Sequence, residues 1–377
     1  MNTSLHTIKT FFQNESVFCI ATLAALISAF IVTPDVAYLS YIDFRVLALL
    51  LSLMLVVAGL TEVGLFDKLM PVLCKRMKTE RGLSMVLVLA CFFISMWVTN
   101  DVALITFVPF SILILEKTGL KKLLIPVIVM QTVAANLGSM CTPIGNPQNL
   151  YLYTTSGMNI SGFIQVMFPY TLCSFILIML TMLLFKPLPL SETISLEANQ
   201  NEGKVPVYKT ILFLVLMVLC LMSVLHLVDY RICLVVVLII SLILSPALMK
   251  KPDYMLLLTF VSFFVFVGNM KRIPAIDNFL AICVKNHEVL CSVLASQCIS
   301  NVPAAILLSG FTKNYAGLMI GTNLGGLGTL IASMASLISY KYYAKIPGCD
   351  KKKYLLIFTL VNVIYLVILV FLYYLIH

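Results

Sequence analysis

The run Ala135-Asn136-Leu137-Gly138-Ser139-Met140-Cys141-Thr142-Pro143-Ile144-Gly145-Asn146-Pro147-Gln148-Asn149 cuts an otherwise apolar segment in two. Leu123 to Val133 before it reads as helix, and Leu150 to Tyr153 after it is apolar again. Gly, Pro, Asn and Thr at this density cannot continue a helix, because proline lacks the backbone donor and glycine costs the most entropy to order. The run has an echo in Thr322-Asn323-Leu324-Gly325-Gly326-Leu327-Gly328-Thr329-Leu330-Ile331-Ala332-Ser333. At a constant offset, Asn136, Leu137, Gly138, Thr142 and Ile144 fall on Asn323, Leu324, Gly325, Thr329 and Ile331. Two interrupted apolar segments at corresponding positions of two halves mark a binding site built from broken membrane helices.

Composition agrees. Hydrophobic residues make up 61% of the 377 and charged residues 11%, against about 25% charged in a soluble domain. The chain is a polytopic membrane protein, expected in the cell inner (plasma) membrane. Its net charge of +9 is assigned to cytoplasmic loops under the positive-inside rule. No basic stripe with interleaved aromatics suggests nucleic acid. The eleven Cys sit mostly in apolar runs with no C-x-x-C pair, and His6, His226, His287 and His377 have no ligand spacing. Val17–Val32 lacks a basic leader and a cleavage site, so it is expected as a retained first helix. The sequons at Asn2, Asn14 and Asn159 carry no weight.

A spanning helix needs roughly 20 largely apolar residues. Val102–Leu115 and Ala304–Phe311 fall short of that. Each follows a polar tip, Thr99-Asn100-Asp101 or Ser300-Asn301-Val302-Pro303. Helix, polar tip and short helix predict a re-entrant hairpin, tolerated at membrane depth only where protein or a cavity surrounds it. The flanking charges support this. Lys75, Arg76, Lys78 and Arg81 precede the first hairpin, and Lys117, Lys121 and Lys122 follow it. A hairpin puts both groups inside; a crossing would split them.

The resulting path starts with a cytoplasmic N-terminus and ends outside. Of the 25 Lys and Arg, only Arg45, Arg231, Lys271, Arg272, Lys285 and Lys313 fall outside on this path. The expected architecture is all-α with two inverted repeats. The first is 1–186, with hairpin tip 99–101 and broken helix 123–155. A cytoplasmic linker, 187–209, and a joining helix, 210–230, lead to the second, 231–377, with tip 300–303 and broken helix 315–340. Inverted repeats with hairpins and broken helices meeting at the midplane describe a secondary transporter.

Both tips and both loops should converge near the midplane. Broken helices leave backbone groups unpaired; N-terminal ends attract anions, while carbonyl ends coordinate cations. Gly138, Gly145, Gly325 and Gly328 are expected to let the backbone turn and approach a ligand. Asp101 is an intramembrane carboxylate and hence a candidate for cation or proton coupling; it also suits the cap of the helix it precedes. Left uncompensated it takes a proton, while a neighbouring cation keeps it ionised. Gln131 and Gln297, each one turn before a polar element, are candidates to face the site. Glu62, Glu116, His226 and Trp97 are read as interfacial or packing residues. No nucleophile–base set appears, so no catalytic residue is expected. A channel would need a continuous polar lining that the chain lacks.

These motifs resemble the ion transporter superfamily of divalent-anion/sodium symporters, citrate carriers, arsenite permeases and NhaD-type antiporters. Ile94–Asp101 resembles the first hairpin tip, where the symporters carry Ser-Asn-Thr, and Ser300-Asn301-Val302 resembles the second. Thr142–Asn149 is similar to their Gly-Thr-Pro-Pro-Asn region. Thr-Asn-Asp-Val-Ala-Leu and Thr-Pro-Ile-Gly-Asn-Pro-Gln-Asn are most similar to a bacterial YbiR-like branch. The resemblance implies sodium or proton sites at Asn100, Asn136, Gly138 and Asn149 and at Asn301, Asn323 and Gly325, with Asp101 beside them. It implies a small anionic substrate between Thr99-Asn100 and Ser300-Asn301, with Thr142, Pro143, Asn146 and Thr329 from the loops. It further implies elevator-like movement, a homodimer, and no cofactor or metal beyond sodium or a proton as coupling ion. Two departures stand out. Asp101 and Val302 occupy the third tip position where carboxylate symporters have Thr, and the second loop lacks Pro-Pro-Asn. The Asn-Asp tip resembles the arsenite-permease side. A sodium/proton antiporter or arsenite-type exporter on the same fold is therefore the alternative.

Overall fold

A computed structural model describes residues 15–65, 74, 77–190 and 207–377. The sequons at Asn2 and Asn14, His6, the basic pair Lys75-Arg76, and most of the polar linker lie outside the described residues.

The first half runs α1 (Ser16–Ile31), α2 (Phe44–Glu62), α3 (Glu80–Val98), α4 (Asn100–Lys117), α5 (Leu124–Ser139), α6 (Pro147–Ser156) and α7 (Ile160–Leu183). The joining helix is α8 (Val207–Val224). The second half runs α9 (Tyr230–Leu244), α10 (Tyr254–Lys271), α11 (Pro274–Val284), α12 (Glu288–Ile299), α13 (Asn301–Ser309), α14 (Tyr315–Leu324), α15 (Met334–Tyr343) and α16 (Lys351–Ile376). Among the described residues 7 helices are long and apolar enough to cross a membrane, or up to 8 if the bent pair α11–α12 counts as one span. The chain is a multi-pass membrane protein. Helices entering apolar surroundings must satisfy their first backbone donors, and Asx side chains do this repeatedly. Asp43 accepts from the Val46 N–H at 3.0 Å and Asp253 from the Leu256 N–H at 2.9 Å.

Both short segments fold back on the arm before them, but only the second, the nine-residue Asn301–Ser309, is short. The first, expected over Val102–Leu115, is the 18-residue helix α4. Its polar ends Asn100-Asp101 and Glu116-Lys117 are helical, with Thr99 as N-cap. The arm α3 is also long enough to span. Packing makes the hairpin: the Gln131 amide on α5 donates to the Leu87 carbonyl at 3.1 Å and to Ser111 Oγ at 2.8 Å. Those two residues lie equally far from Thr99 on either side, so the arms run antiparallel. The base is clasped by Lys122 and Glu80 at 2.9 Å. The second hairpin, α12 and α13, repeats the device, with Thr312 donating to Glu288 at 3.0 Å. Its second arm is Asn301–Ser309 instead of the expected Ala304–Phe311.

Both helices are broken, but the breaks are narrower than the runs read as non-helical: residues 135–139, 147–149 and 322–324 are helical, because interior packing holds the turns that local propensity disfavours. α5 ends at Ser139 and α6 resumes at Pro147; α14 ends at Leu324 and α15 resumes at Met334. One element escaped the sequence reading. Asp277 and Asn278 interrupt the apolar pattern of α11, which is nevertheless a helix, set at 110° to α12. Packing between the halves is reciprocal: α1 lies on α10 and α2 on α9, while α4 lies on α15 and α13 on α6.

Two expected ligand-facing glycines serve this packing. A Cβ on Gly138 would sit 2.1 Å from the Phe92 carbonyl oxygen in α3, and one on Gly325 would sit 2.7 Å from Ser296 Oγ in α12. Each lets a hairpin arm press against its broken helix. Gly138→Ala is expected to cost about 1–3 kcal/mol through overpacking, read as a lower thermal unfolding midpoint in detergent. Gly157→Asn, at a left-handed turn with open space around it, should leave the midpoint near wild type.

Candidate functional site

The two hairpin tips have the same unusual backbone. Thr99 has φ 91 and Ser300 φ 74, a region that residues bearing a Cβ rarely occupy and that concentrates at functional sites. Each strained residue turns the chain so that the following Asn begins the second arm. The Asn100 N–H donates to the Gly145 carbonyl at 3.1 Å, and the Asn100 amide donates to Asn136 Oδ1 at 3.0 Å. Tip and loop of the first half are thus one unit. Thr142 Oγ1 adds a bond to the Met96 carbonyl of α3.

The two loops meet through a chain of buried amides. Asn146 Nδ2 donates to Asn323 Oδ1 at 2.9 Å, and Asn323 Nδ2 donates to Asn149 Oδ1 at 2.6 Å. Asn136 Oδ1 also accepts from Ser333 Oγ at 3.1 Å. All four Asn are buried. Asn149 Nδ2 reaches the Thr142 carbonyl at 3.2 Å and thereby clamps the first loop. The second loop is clamped from its hairpin. Gln297 Nε2 donates to the Gly325 and Leu327 carbonyls, each at 2.9 Å, and Oε1 accepts from the Thr329 N–H at 2.9 Å. Gly328, with φ 106, makes room for this amide, since a Cβ there would meet Gln297 Oε1 at 2.4 Å.

Beside this network lies a cavity of about 200 Å³. Thr99, Asp101 and Asn146 face it from the first half. Leu50, Leu53 and Val57 of α2 and Met334 and Ile338 of α15 give it apolar walls, and Lys251 and Asp253 stand at the start of α10. Asp101 donates its backbone N–H to Asn100 Oδ1 at 3.0 Å. Asp101 lines the cavity together with the Asp253 that caps α10.

A second opening, a cleft of about 460 Å³, lies at the other ends of the same helices, against Arg45 of α2 and Phe264 of α10. On α10, Leu256 lines the cavity, Phe260 is buried, and Phe264 lines the cleft, each one turn apart. Tyr151 of α6 completes the partition. Its ring packs on Phe260 and Phe264 at 6.2 and 5.7 Å, and its hydroxyl hydrogen-bonds Ser309 of α13 at 2.7 Å.

The expected residues therefore divide. Asn100, Asn136, Asn146, Asn149 and Asn323 share the amide network; Thr99, Asp101 and Asn146 reach the cavity. Pro143 is buried in the first loop. Asn301 is buried with Nδ2 2.8 Å from where a Gly326 Cβ would stand, and Ser300 Oγ donates to the Ala332 carbonyl at 3.4 Å. Thr329 is exposed. Gln131 pins the hairpin instead of lining the cavity. Trp97 is exposed on α3, and His226 sits at a left-handed turn beside Tyr153. Asp253 and Tyr151 were missed as site residues, although the helix-start position of Asp253 was visible.

A family model described as citrate transporter matches residues 14–317. The uncharacterized transporter MJ0456 of Methanocaldococcus jannaschii is 32% identical over 332 residues, covering 87% of this chain and 89% of that protein. The inner membrane protein YbiR of Escherichia coli is 32% identical over 338 residues, covering 87% and 88%. The silicon efflux transporter LSI3 of Oryza sativa is 30% identical over 153 residues, covering 41% and 31%.

The amide chain yields a direct test. Asn323→Ala leaves a donor on Asn146 and an acceptor on Asn149 unpaired in a buried place, at about 1–3 kcal/mol for each such group. The thermal midpoint in detergent should fall clearly; an unchanged midpoint would show that the loops are joined by something else.

Proposed function

The chain is a multi-pass membrane transporter of the citrate transporter family, and on that premise we propose that it is a secondary active transporter of a small anion, coupled to sodium ions or protons. The anion is a carboxylate or an inorganic oxyanion. The observation that carries this reading is the buried amide network joining both broken-helix loops beside a cavity that holds Asp101. Helix starts at Asn100, Pro147 and Asn301 supply N-terminal ends that favour an anion; helix stops at Ser139 and Leu324 supply carbonyl ends that favour a cation.

In this reading Thr99, Asn100, Thr142, Pro143, Asn146, Ser300, Asn301 and Thr329 form the substrate side. Asn100, Asp101, Asn136, Gly138, Asn149, Asn301, Asn323 and Gly325 form the ion side. Reciprocal packing of the halves supports an inverted arrangement, divided at 187–209, and the placement of Lys and Arg supports a cytoplasmic N-terminus. The cavity beside Lys251 then opens inward and the cleft beside Arg45 outward. The protein works as a homodimer and uses no cofactor beyond the coupling ion.

A second reading, an antiporter or exporter in which Asp101 carries the exchanged charge, is favoured by one observation. Asp101 and Asp253 share a largely apolar cavity with a single lysine, a poorer place for a multivalent anion than for a cation or an uncharged cargo.

Purified protein in liposomes separates the two. An inward sodium or proton gradient should drive accumulation of labelled citrate or phosphate. Gradient-driven proton movement with no anion would favour the antiporter. Asp101→Asn should abolish coupling while keeping the wild-type thermal midpoint; coupled transport by that variant would reduce Asp101 to a helix-start residue.

A further inference from the structure

The cleft at Arg45 is not part of the central site, and the partition of Tyr151, Phe260 and Phe264 stands between them. We propose that this cleft is an outer docking site, where the anion is first held by the Arg45 guanidinium before it reaches the amide network. The proposal rests on the anion-carrier reading above and adds a second station to it.

Charge placement is the first argument. Arg45 is one of the few basic residues that the positive-inside rule would not put on the outer face. A cation kept there does not serve orientation. Two other such residues are already engaged: Arg272 pairs with Asp35 at 2.9 Å, and Arg231 rests over the Tyr230 ring with its carbon 5.5 Å from the centroid. Arg45 is different. One of its donors reaches the Ser223 carbonyl at 3.3 Å, while its Nε is buried with no hydrogen-bond partner. It is the one cationic group among the buried, unpartnered side-chain atoms of the described residues. A guanidinium with unspent donors is shaped to take two oxygens of a carboxylate or oxyanion at once.

Arg45 shares the cleft with Asp43, whose carboxylate accepts the Val46 N–H at the start of α2 without losing its charge, so the anion sits against the Arg45 guanidinium. Tyr41, Tyr151, Thr155 and Tyr230 bring hydroxyl-bearing side chains to the walls. At about 460 Å³ the cleft has room for a small anion with water.

The test uses liposomes of defined orientation, with labelled citrate and phosphate offered to one face at a time. Arg45→Gln should raise the half-saturating concentration at the outer face at least tenfold and leave the inner-face value unchanged, the maximal outward rate falling in proportion. Arg45→Lys should recover part of that loss, since it keeps charge without the planar fork. An unchanged outer value, or an equal shift at both faces, overturns the proposal. If Arg45→Gln does not fold, Thr155→Val and Tyr230→Phe probe the same cleft, and an unchanged outer value in both overturns it. If the wild type moves no anion, the carrier reading fails separately. Equilibrium binding of labelled citrate and phosphate to solubilised protein then decides the cleft: binding that Arg45→Gln removes upholds it, and absent or unaltered binding overturns it.

Discussion

The amide chain Asn146–Asn323–Asn149 is the contact on which the rest of the structure depends. It joins residues of opposite halves in a buried place, where an unpaired amide would be costly. A polar network of this kind stabilises only when every member is satisfied, because the same low dielectric that strengthens each bond penalises each orphan. The chain therefore fixes the relative position of the two loops and, through Asn136 and Asn100, of the first hairpin tip. The broken helices are thereby provided for: their ends would be untenable in lipid and become tenable where each faces the other's side chains.

Around this centre the two halves solve the same problem with different residues. Each hairpin is held near its broken helix by a glycine that removes a side chain from the contact. Each tip carries a strained residue, Thr99 or Ser300, ahead of a buried Asn. The loop clamps differ. Asn149 holds the first loop from the helix that follows it, whereas Gln297 holds the second from the hairpin arm. The second loop is therefore tied to its hairpin, and the first to both its hairpin and α6.

Much of this was legible in the sequence because it rests on local pattern. Gly, Pro and Asn density located both breaks, a polar tip ahead of a short apolar run located both hairpins, and flanking charge supported the first. The five Asn of the network announced themselves as polar residues in apolar runs. What stayed hidden depends on who meets whom. Gln131 and Gln297 look alike in sequence, each one turn from a polar element, and both turned out to clamp backbone. The shortness of Val102–Leu115 was misleading, since capping extends that helix at both ends. α11 was invisible because two polar residues broke its apolar pattern. The partition at Tyr151 and the cavity wall at Asp253 are products of packing between halves, which no local window contains.

The clasps at the hairpin bases differ in kind. Glu80 and Glu288 are equally buried, but Glu80 meets an ammonium whose side chain is 59% exposed, whereas Glu288 accepts from the hydroxyl of Thr312. Mobile ions screen the first clasp and leave the second nearly untouched. The mechanical symmetry of the protein is thus conditional on the medium: in dilute electrolyte both hairpins are anchored at their roots, and in concentrated electrolyte the first is freer than the second. A change in the salt bathing the first clasp would shift the balance between the two arms without altering any group at the centre.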